Sequence, residues 1–158
     1  MEKNMEKPRI LVLSGPNLNM LGKRNISIYK EDSLDTIHER LGELADELGL
    51  EVVCVQKNTE GDMIDWLQRA TDEFKGVIIN AGAYAHYSYA LRSAIGSSMV
   101  PCIEVCMSNI YTREEFRHKS VIAAVCEGVI VGFGSQSYML ALKAMAQIVN
   151  KDSLHSNL

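Results

Sequence analysis

Polar residues with the types needed for acid–base chemistry and anion binding cluster after three short apolar runs. Asn17 and Asn19 follow Leu11–Leu13, with Gly15 and Pro16 ending the run, and Arg24 and Tyr29 come next. Asn80 and His86 follow Val77–Ile79, and Glu104, Cys106 and Ser108 close or follow the run that begins at Pro101. Together they supply amides, a guanidinium, a phenol, an imidazole, a carboxyl and a thiol. Such a set can hold a small anion and move a proton. Singly, each has an ordinary role: Asn after a strand caps a turn, and a loop Tyr or Arg is surface. Convergence at three strand ends shifts the balance toward a site and leaves the reaction open. Gly15 and Gly22 form neither GxGxxG nor a P-loop, so a phosphate cradle is disfavoured.

The surrounding pattern is what would bring these residues together. Leu11–Leu13 is continuous and apolar, as in a strand buried on both faces of a parallel sheet. Leu34, Ile37, Leu41, Leu44 and Leu48 recur at helical spacing, with Ser33 as N-cap and Gly49 just past the end. EVVCVQ at 51–56 is a β-branched strand, and Met63, Ile64, Leu67 and Ala70 mark the next helix, with Trp66 nearby. Val77–Ile79 is the third strand, His86–Ser97 a helix, Pro101–Cys106 the fourth strand, Gly128–Phe133 the fifth, and Gln136–Val149 the last helix. Strand and helix alternate throughout. The expected class is α/β: one domain over 8–150 with a parallel sheet, helices on both faces, and flexible tails at 1–7 and 151–158. In open sheets of this kind ligands sit at the carboxyl ends of the strands.

Bulk properties narrow the partners. The chain has 158 residues, 47% hydrophobic and 23% charged, enough for one sizeable core. A net charge of −4 argues against nucleic acid or an anionic membrane as main partner, so an anion would be bound locally. The charged start MEKNMEKPR and the lack of a membrane-length apolar run point to the cytoplasm. Cys54, Cys102, Cys106 and Cys126 show no CxxC pair, so neither a zinc site nor a disulfide framework is expected, and three of the four look like core thiols.

Five segments, GPNLNMLGKR (15–24) with Tyr29, NTEGDMIDWL (58–67), NAGAYAHYS (80–88), EVCMSNIYTREEFRH (104–118) and GVIVGFG (128–134), resemble the type II 3-dehydroquinate dehydratases of shikimate and quinate metabolism. The resemblance runs from Ile10 to about Val149. It implies a flavodoxin-like three-layer sandwich with a five-stranded parallel sheet in the order 2-1-3-4-5, and a dodecamer of four trimers. It also implies no metal or organic cofactor, and anti elimination of water from 3-dehydroquinate, a cyclic anion, through an enolate. Tyr29 matches the base, acting as tyrosinate, and Arg24 and Arg113 match the arginines near it. Lowering a tyrosine pKa from about 10 to about 7 takes roughly 4 kcal/mol. A cation at about 4 Å with an effective dielectric near 20 supplies about that. Asn17 matches the residue that holds a water against the enolate oxygen. Asn80, His86, Arg117 and the backbone at Met107 and Ser108 match the substrate grip, and the stretch from about Met20 to Asp32 matches a closing loop.

The chain departs from the family pattern at four positions. Cys106 stands where the family has the histidine that protonates the departing hydroxyl and that Glu104 orients. A thiol is a weak donor and cannot become a stabilised cation, and a general acid contributes about 10²–10⁴-fold. Ser93 replaces an aspartate that reaches a neighbouring subunit's site. Thr59 and Ala81 replace a histidine and a proline. These changes leave three readings: a dehydratase, slow for want of its acid; a non-catalytic small-molecule-binding paralogue; or a lyase or isomerase for a related cyclic hydroxy-keto acid.

Overall fold

The computed structural model describes residues 6–23 and 32–155. Strands β1 (Arg9–Ser14), β2 (Glu51–Gln56), β3 (Gly76–Asn80), β4 (Cys102–Cys106) and β5 (Gly128–Val131) form one sheet in the order β2-β1-β3-β4-β5. Every pairing is parallel. This is the class and strand order that the sequence and its resemblance imply. Helices α1 (Leu34–Leu48), α2 (Glu60–Glu73), α3 (Tyr89–Ser97) and α4 (Gln136–His155) cover the sheet.

Side-chain alternation along the strands builds two cores. Ile10 and Val12 pack with Ile37 and Leu41 of α1 and Leu142 and Met145 of α4, while Leu11 and Leu13 pack with Met63 and Leu67 of α2 and Leu91 of α3. Both faces of β1 are therefore buried, which is why its sequence reads as an unbroken apolar run. Apart from Glu104 in the middle of β4, the buried polar side chains of the strands stand at strand ends, as Ser14 and Asn80 do.

Caps set the helix limits. Ser33 accepts from the Thr36 amide, and Gly49 ends α1 at φ 72°, as the spacing predicts. Thr59 accepts from the Asp62 amide at the start of α2. Strand limits at β3 and β4 shift by one residue, and three boundaries differ more substantially from the sequence expectation. The helix expected from His86 begins at Tyr89, because Ser88 caps it through the Leu91 amide, and Gly82–His86 form a separate 3-10 turn. The fifth strand ends at Val131 instead of Phe133, because Gly132 turns the chain at φ 98°. The last helix continues past Val149 to His155, so the backbone of Lys151–His155 is helix and not a tail.

Candidate active site

The site lies at the carboxyl ends of β1, β3 and β4, and its geometry starts from a close backbone approach. The Gly15 amide donates to the Asn80 carbonyl at 2.8 Å, and a Cβ on Gly15 would fall 2.7 Å from the Ala81 carbonyl oxygen. Only glycine fits there. The next turn places Asn17 in the left-handed region at φ 70°, a conformation that Asn tolerates. Its amide donates to Asn58 Oδ1 at 3.1 Å, and Gln56 Nε2 donates to the same oxygen at 2.9 Å. The β2–α2 connection thus fixes the turn that carries Asn17.

Asn80 is held from below. Its Nδ2 donates to the Tyr138 hydroxyl at 3.0 Å, its Oδ1 accepts from the Gly82 amide at 3.2 Å, and the Tyr138 hydroxyl bonds Ser14 Oγ at 2.9 Å. Tyr138 is fully buried, and burial pushes its phenol up to about 12, so it acts as a neutral bridge between two strand ends.

A cavity of about 660 Å³ opens above these groups, and Asn17, Asn80, His86, Cys106, Met107, Ser108, Arg113 and Arg117 all line it. These eight are sequence-derived candidates from three separate stretches, and the fold brings them together. His86 is oriented by a 2.9 Å bond between Nδ1 and the Lys119 carbonyl. A carbonyl can only accept, so Nδ1 carries the proton and Nε2 is left to other partners. Cys106 Sγ lies 3.8 Å from Ser108 Oγ, which also accepts from Arg113 Nη1 at 3.4 Å. Arg117 stacks on Phe116 at 4.8 Å and pairs with the exposed Glu114 at 3.2 Å. Two guanidinium groups and an imidazole therefore converge on one side of the cavity, a wall suited to a carboxylate and hydroxyls.

Other candidates fall elsewhere. Arg24 and Tyr29 lie outside the described residues. Asp32, which follows that stretch, lines the cavity and is held by Arg40 Nη1 at 2.8 Å and Ser135 Oγ at 2.9 Å. Glu104 does not line the main cavity. It is 4% exposed, its oxygens lie 2.8 and 2.9 Å from Ser120 Oγ, and it borders a smaller cavity behind Cys106. Ser93 is remote from both and sits in a shallow surface depression with Ile64, Thr71 and Ser97.

Sequence reasoning missed Tyr138, Phe133 and Ser120. Tyr138 occupies an apolar helical position and nothing in its spacing marks its hydroxyl. Phe133 was read as strand, yet the turn at Gly132 brings it to the cavity. Ser120 lies in a polar segment whose pairing with Glu104 depends on tertiary structure.

The family model described as "Dehydroquinase class II" matches residues 8–146. The chain belongs to the class II dehydroquinases. It is 52% identical over 140 residues to a 3-dehydroquinate dehydratase of Pelotomaculum thermopropionicum, covering 89% of this chain and 97% of that one. A Bacillus cereus 3-dehydroquinate dehydratase is 49% identical over 139 residues, covering 88% and 95%. The crystal structure of a type II dehydroquinase from Butyrivibrio crossotus superposes with a TM-score of 0.84 at 43% identity, covering 90% of this chain and 99% of that one. A 3-dehydroquinate dehydratase-like protein from Bifidobacterium longum gives 0.70 at 34% identity, covering 90% and 98%. For a class II dehydroquinase, two of the four departures are mild in structural terms. Thr59 still caps α2, and Ala81 holds φ −76°, within the range a proline ring would fix.

The Tyr138 bridge generates a prediction. Tyr138→Phe keeps the ring's packing but leaves the Asn80 amide and Ser14 hydroxyl without their partner. Urea unfolding at fixed protein concentration is expected to show a loss of about 1–3 kcal/mol, the cost of an orphaned buried polar group. A change below about 0.5 kcal/mol would show that the bridge contributes nothing.

Proposed function

We propose that the chain is a type II 3-dehydroquinate dehydratase, converting 3-dehydroquinate to 3-dehydroshikimate by anti elimination of water through an enolate. The observation that carries this reading is the family match over residues 8–146. The cationic cavity at the strand ends supports it, because the substrate is a small cyclic anion.

In this reading Tyr29 is the base, kept as tyrosinate by Arg24 with Arg113 a second arginine near it, and it removes the proton beside the ketone. Asn17 holds a water against the developing enolate oxygen. Asn80, His86, Arg117 and the Met107–Ser108 backbone grip the carboxylate and hydroxyls. Cys106 stands at the position from which the departing hydroxyl is protonated, with Glu104 behind it. Ser93 belongs to a neighbouring subunit's site in a dodecamer of four trimers, which accords with its distance from this chain's own cavity. The enzyme works in the cytoplasm, a location supported by free thiols at all four cysteines.

The decisive experiment mixes the purified protein with 3-dehydroquinate and follows the enone absorbance of the product. Growth of that absorbance in proportion to enzyme is expected; none at all ends the dehydratase reading. Tyr29→Phe should lower kcat by about 10²-fold or more, the usual worth of a positioned base, while ligand affinity changes little. Wild-type rates in that variant would exclude the tyrosinate mechanism. Cys106→His should raise kcat, because Glu104 lies two residues away on the same strand face and can orient an imidazole. The ceiling is about 10²–10⁴-fold, and an unchanged kcat in a folded variant would mean that the acid is not what limits the rate. Light scattering should give the mass of twelve chains, and a stable monomer at micromolar concentration would exclude the assembly.

A further inference from the structure

The strand-end site has a second compartment. Along β4, Ile103 and Val105 point into the α1–α4 core, while Glu104 and Cys106 turn toward the other face. Behind the main cavity lies a smaller one, with about 40 Å³ open to water, bordered by Glu104, Cys106, His86, Arg117, Asn80 and Ser120. Cys106, His86, Arg117 and Asn80 border both spaces; Glu104 and Ser120 border only the inner one. Glu104 thus meets the main cavity only across this inner space. The rest of its wall is apolar, including Ala85, Val129 and Val131. A single water needs about 10–15 Å³ of such volume, which is present, and two to four polar partners, for which Glu104, His86 and Arg117 are the bordering groups not already fully paired.

The hydrogen bonds around Ser120 determine what Glu104 can do. Ser120 Oγ accepts from the Ile122 amide at 3.3 Å and the Ala123 amide at 3.1 Å, which occupies its lone pairs. Its one proton is therefore directed to Glu104, whose two oxygens share it. One hydrogen bond is little compensation for a buried carboxylate, and an oxygen remains free to carry a proton. Burial raises the Glu104 pKa above its ordinary value, opposed by the Ser120 hydrogen bond and the charge of His86. The other titratable or charged groups around it are Arg117 across the inner cavity, Cys106 on its own strand and the buried Cys102.

We propose that Glu104 is the proton source for the departing hydroxyl, acting through one water held in the inner cavity between it and the substrate. The proposal rests on the dehydratase reading. The carbon–oxygen bond breaks and its electron pair stays on oxygen, as the enolate closes to the enone. The departing oxygen takes a proton from the inner water, and that water takes the proton of Glu104. One water leaves as product and Glu104 remains as carboxylate. The proton taken from carbon sits on Tyr29, and both groups reset by exchange with solvent.

The kcat–pH profile tests this. Glu104→Gln keeps size and hydrogen bonding but has no proton to give; kcat should fall by about 10²-fold or more and the descending alkaline limb should vanish. Cys106→Ala and His86→Gln should alter the height of the profile and keep that limb. A limb that survives Glu104→Gln, or disappears with either other variant, overturns the proposal. A proton inventory in mixed H₂O and D₂O should be curved, with two protons in flight; a linear one overturns it.

A second measurement does not depend on turnover. A carboxyl raised above 4.5 on folding leaves the folded state with more bound protons, so stability falls as pH rises from 4.5 through the raised value and then levels off. Wild-type protein should show this fall relative to Glu104→Gln. Identical pH dependences mean that Glu104 gives up its proton as an ordinary carboxyl does, and the relay is overturned even if 3-dehydroquinate is turned over. If the linkage appears but the wild-type protein forms no enone, the dehydratase reading fails, and the catalytic relay fails with it.

Discussion

Everything at this site depends on how closely β1 and β3 approach where they end. The Gly15 amide reaches the Asn80 carbonyl, and any side chain at position 15 would press on the Ala81 backbone. Backbone cannot yield as the tip of a flexible side chain can, so overpacking here would cost in the range of about 1–3 kcal/mol. It would also move Asn17 and Asn80 relative to each other. Because the neighbouring strands run parallel, their polar termini emerge on one edge, and this contact sets the spacing of the groups on that edge.

The same edge is stiffened from within the core. Tyr138 spans from α4 to Ser14 and Asn80, making a short polar chain inside a layer that is otherwise apolar. A network of this kind is worth having only when all its members are paired. On the far side Asn58 Oδ1 accepts two bonds, so Asn17 is positioned by Asn58, and Asn80 in part by Tyr138, neither of which lines the cavity. The site is thus supported by a second set of residues spread over β2, the β2–α2 connection and α4.

Much of the fold was readable because it obeys periodicity. Leu11–Leu13 and Val77–Ile79 are apolar runs since both faces of the sheet are covered, and α1 shows its core stripe together with both caps. The misreadings share one cause, which is that local pattern says little where a single residue redirects the chain. Ser88 splits an expected helix by capping it, and Gly132 ends an expected strand by its positive φ. At the site, Asn17, Asn80, His86, Cys106 and Ser108 were recoverable because strand-end polar residues are visible in the sequence, while Met107, Arg113 and Arg117 came only through the family resemblance. Tyr138 and Ser120 were not recoverable, because their roles rest on hydrogen bonds to partners far away in the chain. The separation of Glu104 from the main cavity follows from a difference in depth between residues on one strand face, and depth leaves no mark on spacing.

That depth also divides the electrostatics. Arg113 and Arg117 line the main cavity, Arg117 bordering the inner one as well, and the Arg117 pair with exposed Glu114 is of a kind worth about 0–1 kcal/mol. Such a pair is easily exchanged for a ligand carboxylate, which can accept two guanidinium hydrogen bonds in a less solvated place. Glu104 is in the reverse situation. It is buried, it shares one hydroxyl proton between two oxygens, and desolvation favours its neutral form. One β4–loop segment therefore places positive charge along the cavity wall and, behind it, a buried carboxyl whose neutral form burial favours. In the proposed relay, an elimination that withdraws a proton at one end of its substrate and returns one to a leaving oxygen draws on both parts of this segment. Arg113 borders only the main cavity, whereas Arg117 borders both that cavity and the inner space beside Glu104, so the anion it binds also screens its charge from the carboxyl.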